Sequence, residues 1–484
     1  MKPPRHRSPL VLSAGLALVL LTGCGSGDAG SRSDKSPSAQ RSSAADGPRA
    51  PRASRAPAAG QGSKDPDDLN GDGHPDLLMT VSTRPATGAS DQSGADQRIA
   101  VVFGSAHGLD PTTRVVHERG DFGLPAHDPV SGGSADSISA DDIVTADLDG
   151  DGFPDYVDTV PGERATDGLT TGQRLEPYVT WGSANGPAGG RAIRIRLPAA
   201  AKLGMSGPVR GDFDGDGHLD LAGQDAGEQN TVWILYGPFD RSSGAAARTG
   251  TLPARGGLIA DDVDPRHPRR TGLLVRTTDD GEQEDGVWYA DVRSGHGVKV
   301  RKGNAHAFGD FDGDGKRDLA VGDDGGRNNE PGYETEAADV DGSLAVYPGD
   351  GGDPVTYRLP DPEGLRVASH GFYRAADPDG DGRDALLLTA SAGGVSLAEG
   401  SDAQTVVRRQ GPAEVAGKKM SAARRGAHVV EVADFDGDGK DELVWGWGLH
   451  ASTDGGRDDL THWWIAEGIS TRDEVAFLSS GFAR

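Results

Sequence analysis

Short apolar runs of four or five residues recur along the chain, each entered from an acidic, glycine-rich stretch. They include "LLMTV" at 77–81, "YVDTV" at 156–160, "DLAVG" at 318–322 and "ELVWG" at 442–446. Runs this short that soon meet glycine read as β-strands, because a helix needs a longer 3.6-residue pattern. A second kind of run closes on an aromatic residue and glycine: "AVVFGSAHG", "YVTWGSANG" and "VWILYGP", and more loosely "LAVYPG" around Tyr347. The later runs "VSLAEG" and "WWIAEG" depart from it. With "AHAFG" before an acidic stretch and "VTYRLP" beyond an aromatic run, each copy holds four strands, here A to D, with the acidic stretch between A and B.

The acidic stretches share one spacing, with carboxylates or amides at loop positions 1, 3, 5 and 9 and glycines at 4 and 6. The intact copies are Asp68-Asn70-Asp72-Asp76, Asp147-Asp149-Asp151-Asp155, Asp212-Asp214-Asp216-Asp220, Asp310-Asp312-Asp314-Asp318 and Asp434-Asp436-Asp438-Glu442. A sixth keeps Asp377, Asp379 and Asp381, but its last acid, Asp384, comes one residue early. A seventh, "DVDPRHPRR", keeps Asp262 and Asp264 and places Arg266 where the third acid belongs. So many carboxylates repel one another unless a cation sits among them. Oxygen-only donors suit a hard cation, and flexible multi-carboxylate geometry favours Ca2+ over Mg2+. Position 7 varies (His74, Phe153, His218, Lys316, Lys440), as expected if only its backbone carbonyl reaches the ion and the two histidines point outward. About five Ca2+ sites are expected, with a degenerate sixth at 377 and none at 262, where Arg266, Arg269 and Arg270 bring positive charge. An EF-hand starts the same way but needs an acid at position 12 and flanking helices. Position 12 is Met79, Asp158, Gly223, Val321 or Trp445, so that reading fails.

A loop ending in an acid at position 9 and leading into a strand resembles the calcium loops of FG-GAP/VCBS repeats, found in the integrin α-subunit propeller and in secreted bacterial proteins. The resemblance covers about residues 65–484 and implies an all-β chain. Seven copies over that span leave about 60 residues each, the length of a four-stranded blade. The expected fold is a seven-bladed β-propeller with calcium loops (DxDGDGxxD) between the first two strands of most blades. The C-terminal "DEVAFLSSGFAR" supplies the last strand beside the first blade. A–B loops and C–D turns then share one face of the disc. B–C loops and inter-blade links share the other, where the insertions "TRPATGASDQSGADQ", "PGERATDGLTTGQ" and "GGRNNEPGYETEAADVDG" fall. Inserted loops on a rigid scaffold are where binding usually resides.

Residues 1–23 read as an export signal, with a basic start and an apolar run too short to span a bilayer. Leu21-Thr22-Gly23-Cys24 resembles the lipobox of bacterial lipoproteins, which implies lipidation of Cys24 and anchoring to the outer face of the cytoplasmic membrane. Cys24 is the single cysteine, so no disulfide forms within the chain. Residues 24–64, rich in Ser, Gly, Ala, Pro and Arg, read as a disordered linker. The "GSGDAG" within it has neither strand nor helix beside it and is not a dinucleotide site.

Composition changes this picture little. Of 484 residues, 35% are hydrophobic and 74 are glycine, enough for a core of small and β-branched side chains. The net charge of −26 argues against nucleic acid or anionic lipid as partners, and much of it lies in the repeated loops. No GxSxG, HExxH or P-loop is present, and loop carboxylates are committed to metal. Glu163, Glu330 and Glu334 sit in polar insertions, and His450 and His462 flank a loop without forming a constellation. "RGD" at 119–121 and 210–212 is coincidence in a chain this rich in Gly, Asp and Arg, and the basic stretch 406–426 reads as a surface link. The expected function is a monomeric binding or adhesion module for an extracellular protein or glycan. The alternative is a polysaccharide lyase or glycosidase with Arg327, Glu330, Tyr333 and Glu334 converging opposite the calcium loops.

Overall fold

The structure, a computed structural model, describes residues 48–51, 54–83, 96–126, 135–227, 229–277, 283–324, 339–359, 373–390, 394–399, 403–415, 417–449, 460–470 and 472–483. Its strands form antiparallel meanders in chain order. Sheet I holds β1 (Leu77–Ser82), β2 (Gln97–Val102) and β3 (Arg114–His117). Sheet II holds β4 (Val144–Ala146), β5 (Asp155–Thr166), β6 (Thr171–Thr180) and β7 (Ile193–Arg194). Sheet III holds β8 (Met205–Gly211), β9 (Asp220–Asp225), β10 (Val232–Asp240) and β11 (Ala245–Leu252). Sheet IV holds β12 (Leu258–Ala260), β13 (Leu273–Arg276), β14 (Glu284–Tyr289) and β15 (Val298–Gly303). Sheet V holds β16 (Ala305–Gly309), β17 (Asp318–Gly322), β18 (Ser343–Tyr347) and β19 (Val355–Arg358). Sheet VI holds β20 (Tyr373–Ala376), β21 (Ala385–Ala390), β22 (Gly394–Glu399) and β23 (Ala403–Arg408). A two-residue ribbon, β24 (Glu414–Val415) with β25 (Lys418–Lys419), precedes sheet VII: β26 (His428–Ala433), β27 (Glu442–Trp447), β28 (His462–Glu467) and β29 (Val475–Leu478).

The second strand of each copy is the short apolar run read from the sequence, and burial explains its lack of alternation. Every residue of β17 and of β27 is buried, because neighbouring sheets cover both faces. The outermost strand β19 is exposed throughout. Apolar clusters join each sheet to the next: II to III through Val157, Val179, Leu221 and Leu235, and V to VI through Ala320, Leu344, Leu386 and Leu388. The series closes on itself. Val444, Trp463, Phe477 and Phe482 of sheet VII and the C-terminus pack with Leu77, Met79, Ala100 and Val102 of sheet I. The fold is therefore an all-β propeller, and its C-terminal strand lies beside the first sheet as expected.

Three expectations need correction. First, the seven complete blades are six, because sheet I has three strands among the described residues. Its missing member is strand A: "PAAGQGSKDPD" before Asp68 carries two prolines, three glycine or serine positions and no alternating apolar residues. Second, the linker expected over 24–64 includes a segment bound to the propeller. Arg49 bridges Phe477, and Arg55 bridges Thr113 beside β3. Gly60 and Gln61 donate backbone hydrogen bonds to Asn70 and Gly71, and Ser63 donates to Gly152. The segment is a strap over the seam between sheets VII and I, continuing onto sheet II. Third, the insertion "PGERATDGLTTGQ" is no loose loop but the extension of β5 and β6 into a long hairpin that turns at 167–170. Among the described residues no helix is long and apolar enough to cross a membrane. Cys24 and the insertions at 84–95 and 325–338 lie outside the described residues.

Candidate metal centres

Each acidic loop is a ladder of short side chain-to-backbone turns. In the second loop the Oδ1 of Asp147 accepts from the amides of Gly150 (2.8 Å) and Asp151 (3.1 Å), and its Oδ2 accepts from Gly152 (2.9 Å). Asp149 accepts from the Asp151 amide at 3.1 Å, and Asp151 from Phe153 at 3.1 Å. The same ladder recurs at 212–218, 310–316 and 68–74. Glycine at positions 4 and 6 is required, because both take left-handed backbone angles, +79° and +90° at Gly150 and Gly152.

This folding gathers oxygen donors. Asp147, Asp149 and Asp155 bring carboxylate oxygens within 4.8 Å of one another, and so do Asp212-Asp214-Asp216, Asp310-Asp312-Asp318, Asp377-Asp379-Asp381 and Asp434-Asp436-Glu442. The loop at 377 thus keeps its cluster without an acid at position 9. In the first loop Asn70 replaces the second carboxylate, and Asp68 and Asn70 are fully buried under the strap. Burial, followed by neighbouring carboxylates, pushes Asp147, Asp149 and Asp155 of the second loop upward, Asp155 to about 8. Asp220 and Glu442 also rise to about 8 and Asp318 to about 6, each chiefly through burial. A cation among these groups would relieve the cost of ionising them. The Oδ1 of Asp434 is buried and meets no hydrogen-bond donor among the described residues, an oxygen left for such an ion. All donors are hard oxygens, so the set fits a divalent cation.

Position 9 does more than sequence suggested. Asp155 Oδ2 accepts from the amide of Leu148 at loop position 2 (2.9 Å), and its Oδ1 accepts from Gly182 of "TWG" (2.8 Å). Asp76, Asp220 and Asp318 repeat the pattern with Leu69 and Gly104, Phe213 and Gly237, and Phe311 and Gly349. This acid couples the acidic loop to the aromatic-glycine run, which is why the two elements recur together.

Position 7 is not simply outward. Its side chain lies over the position-4 glycine of the preceding loop: Phe153 over Gly71, His218 over Gly150 and Lys440 over Gly380. Arg383 lies over Gly313, Arg270 over Gly215, and His74 over Gly437 across the closing seam. Asp384, one residue early for its own loop, serves its neighbour. Its Oδ2 accepts from the Asp310 amide at 2.7 Å, as Asp441 Oδ2 accepts from Asp377 at 2.7 Å. The loops form a continuous ring of touching neighbours, which reading each copy alone could not reveal.

Cations thread this ring. Arg317 donates to Asp261 (3.1 Å) and to Asp384 (2.5 Å). Arg266, from the degenerate loop, reaches Asp434 at 2.6 Å, while Arg269 pairs with Asp264 at 3.3 Å. Arg270 pairs with Asp291 at 2.8 Å, so each of the three arginines expected to exclude an ion at 262 neutralises a carboxylate. Both "RGD" arginines turn inward. Arg210 donates to Asp67 and Thr145, and Arg119 is buried against Asp158. In the 406–426 stretch Arg409 is buried on Asp473 (2.5 Å) and Arg425 donates to the Gly411 carbonyl, while Arg408, Lys418, Lys419 and Arg424 lie exposed at the surface. Glu163 is exposed. His450, Arg327, Glu330, Tyr333 and Glu334 lie outside the described residues.

No protein-family model matches the chain, and no curated protein sequence matches it. Solved structures are similar at low level. BBS1N in complex with ARL6DN is 12% identical over 74% of this chain and 97% of its own, with a TM-score of 0.32. An α-L-arabinanase of Penicillium chrysogenum, complexed with arabinobiose, is 11% identical over 68% and 94%, at 0.31. Rhamnogalacturonan lyase PL11 of Bacillus licheniformis is 11% identical over 89% and 69%, at 0.31. Likeness at this level carries no argument about chemistry.

Proposed function

We propose that the chain is a calcium-stabilised propeller of the FG-GAP/VCBS type, held by a lipid on Cys24 at the outer face of a bacterial cytoplasmic membrane. There it acts as a binding or adhesion module for an envelope or extracellular ligand. The observation that carries this is the repeated donor set: five three-carboxylate clusters, each with its oxygens within 4.8 Å of one another. The resident ions would be structural. At 100 times its dissociation constant a bound ion adds about 2.7 kcal/mol, so a few sites rival the whole stability of an ordinary domain. Residues at positions 1, 3 and 5, the position-7 carbonyl and the position-9 acid would hold each ion. The chain's own side chains then fix the disc, leaving the opposite face free to carry recognition.

The test is capture of envelope glycans and surface proteins by the purified chain, with calcium and with EGTA. Capture that requires calcium supports the module; no capture from a calcium-stabilised fold overturns it. Cleavage of a captured glycan replaces it with the polysaccharide-enzyme reading.

A further inference from the structure

The hairpin β5–β6 and the inter-sheet link at 195–202 border a half-open cavity of about 400 Å3. This sits in the lower part of the roughly 300–1,000 Å3 range of small-ligand sites. β5 starts at the metal-loop acid Asp155 and runs 12 residues away from it, so the hairpin turn lies far from the calcium loops. The hairpin is seated on the link: Leu175 bridges Gly204, and its amide donates to the Leu203 carbonyl at 2.9 Å.

Charge sets this cavity apart. In a chain of net charge −26, its wall carries four cations, Arg174, Arg194, Arg196 and Lys202, against the single carboxylate of Glu176. Glu176 is largely buried and holds two of them, Arg194 at 3.0 Å and Arg174 at 3.3 Å. That leaves three positive charges uncompensated within the wall. The Arg174 Nε is buried, and its contact with the Glu176 carboxylate is an ion pair without hydrogen-bond geometry. The exposed Arg196 guanidinium meets no side-chain partner among the described residues, and Lys202 Nζ reaches only the Asp167 carbonyl, at 3.4 Å. Charge on the far loops acts weakly here, because salt screens it beyond about 8–10 Å.

We infer that this cavity binds the oxyanion of a short acidic saccharide or polyol, a carboxylate or phosphate carried on a hydroxylated chain. The inference rests on reading the propeller as a binding module and gives that module its ligand class. Guanidinium forks held in place by Glu176 match a planar or tetrahedral oxyanion at little further ordering cost. Pro177, Leu197 and Pro198 supply small aliphatic surface, and the wall holds no aromatic pocket for a peptide anchor. The neighbouring edge strand β7 is two residues long, too short for a peptide to pair with as an added strand.

The experiment is calorimetry on the full-length protein in calcium, with trigalacturonate, its methyl ester and a glycerol-phosphate trimer as probes. One or both acids should bind at one site, and the acid that binds names the source of the anion. The methyl ester should not bind. Arg196→Gln with Lys202→Gln should weaken binding roughly tenfold or more with an unchanged melting temperature. Absence of binding by both acids, or equal binding by the double variant or the ester, overturns the assignment. Calcium-dependent melting of the same sample keeps the two readings apart: if it persists while the acids fail to bind, only this inference falls.

Discussion

At the residue scale, the acid at position 9 decides whether the loop motif is metal chemistry alone. Asp220 accepts from the amides of Phe213 and Gly237, both at 2.8 Å, and is fully buried. Removing it orphans two buried donors, at about 1–3 kcal/mol each. Asp220→Ala should therefore lower the melting temperature in EGTA as well as in calcium. Asp214→Ala, at position 3, would lose an oxygen for the ion and its pairing with the half-exposed Arg248, while the Asp216 amide keeps Asp212 as its acceptor. Its effect should appear chiefly in calcium. Thermal melts of both variants in both buffers check this, and equal losses in EGTA would reduce position 9 to an ordinary ligand. The acid itself was legible in sequence, but its partner glycine was not. Gly237 lies 17 residues away and is brought close only when β9 and β10 pair.

Elements divide into those whose pattern is local and those whose partner is distant. The second strands were legible because full burial leaves an unbroken apolar run, as in β27. The strap was not, because residues 54–64 contribute backbone hydrogen bonds rather than apolar side chains, and composition is blind to those. A chain beginning at residue 65 should melt at a lower temperature and exchange its first-loop ion faster than the full chain. Melting and chelator-driven release measure the two, and identical values would make the strap incidental.

The strand β28 carries a pH-dependent term of its own. His462 packs against Trp447 at 5.0 Å and Trp464 at 6.1 Å, and burial brings its pKa down to about 4. The unfolded chain takes up this proton near pH 6.5, before the folded one can. The stability contributed by His462 should therefore fall as pH drops from about 6.5 to about 4 and level off below. In His462→Phe that part of the slope should vanish; denaturant midpoints of the two proteins between pH 7 and 4 show it. A constant difference across the range would mean that the histidine is not neutral in the fold.

On the scale of the whole molecule, the contacts between loops bear on how ions bind. Phe153, His218, Arg383, Lys440 and His74 each rest on the preceding loop's glycine, and Asp384 and Asp441 hold the backbone of the preceding loop's first acid. A loop that took up an ion would thus fix a side chain that its neighbour also needs fixed. Binding that orders a shared element lowers the ordering cost of the next event, which is positive cooperativity. The melting temperature should therefore fall substantially in EGTA, and calcium uptake followed by tryptophan fluorescence should be steeper than independent sites allow. Asp312→Ala in the loop of sheet V should weaken uptake by its neighbours as well as its own. Uptake short by one ion with an unchanged midpoint would mean that the sites act alone, and that the ring of contacts serves packing only.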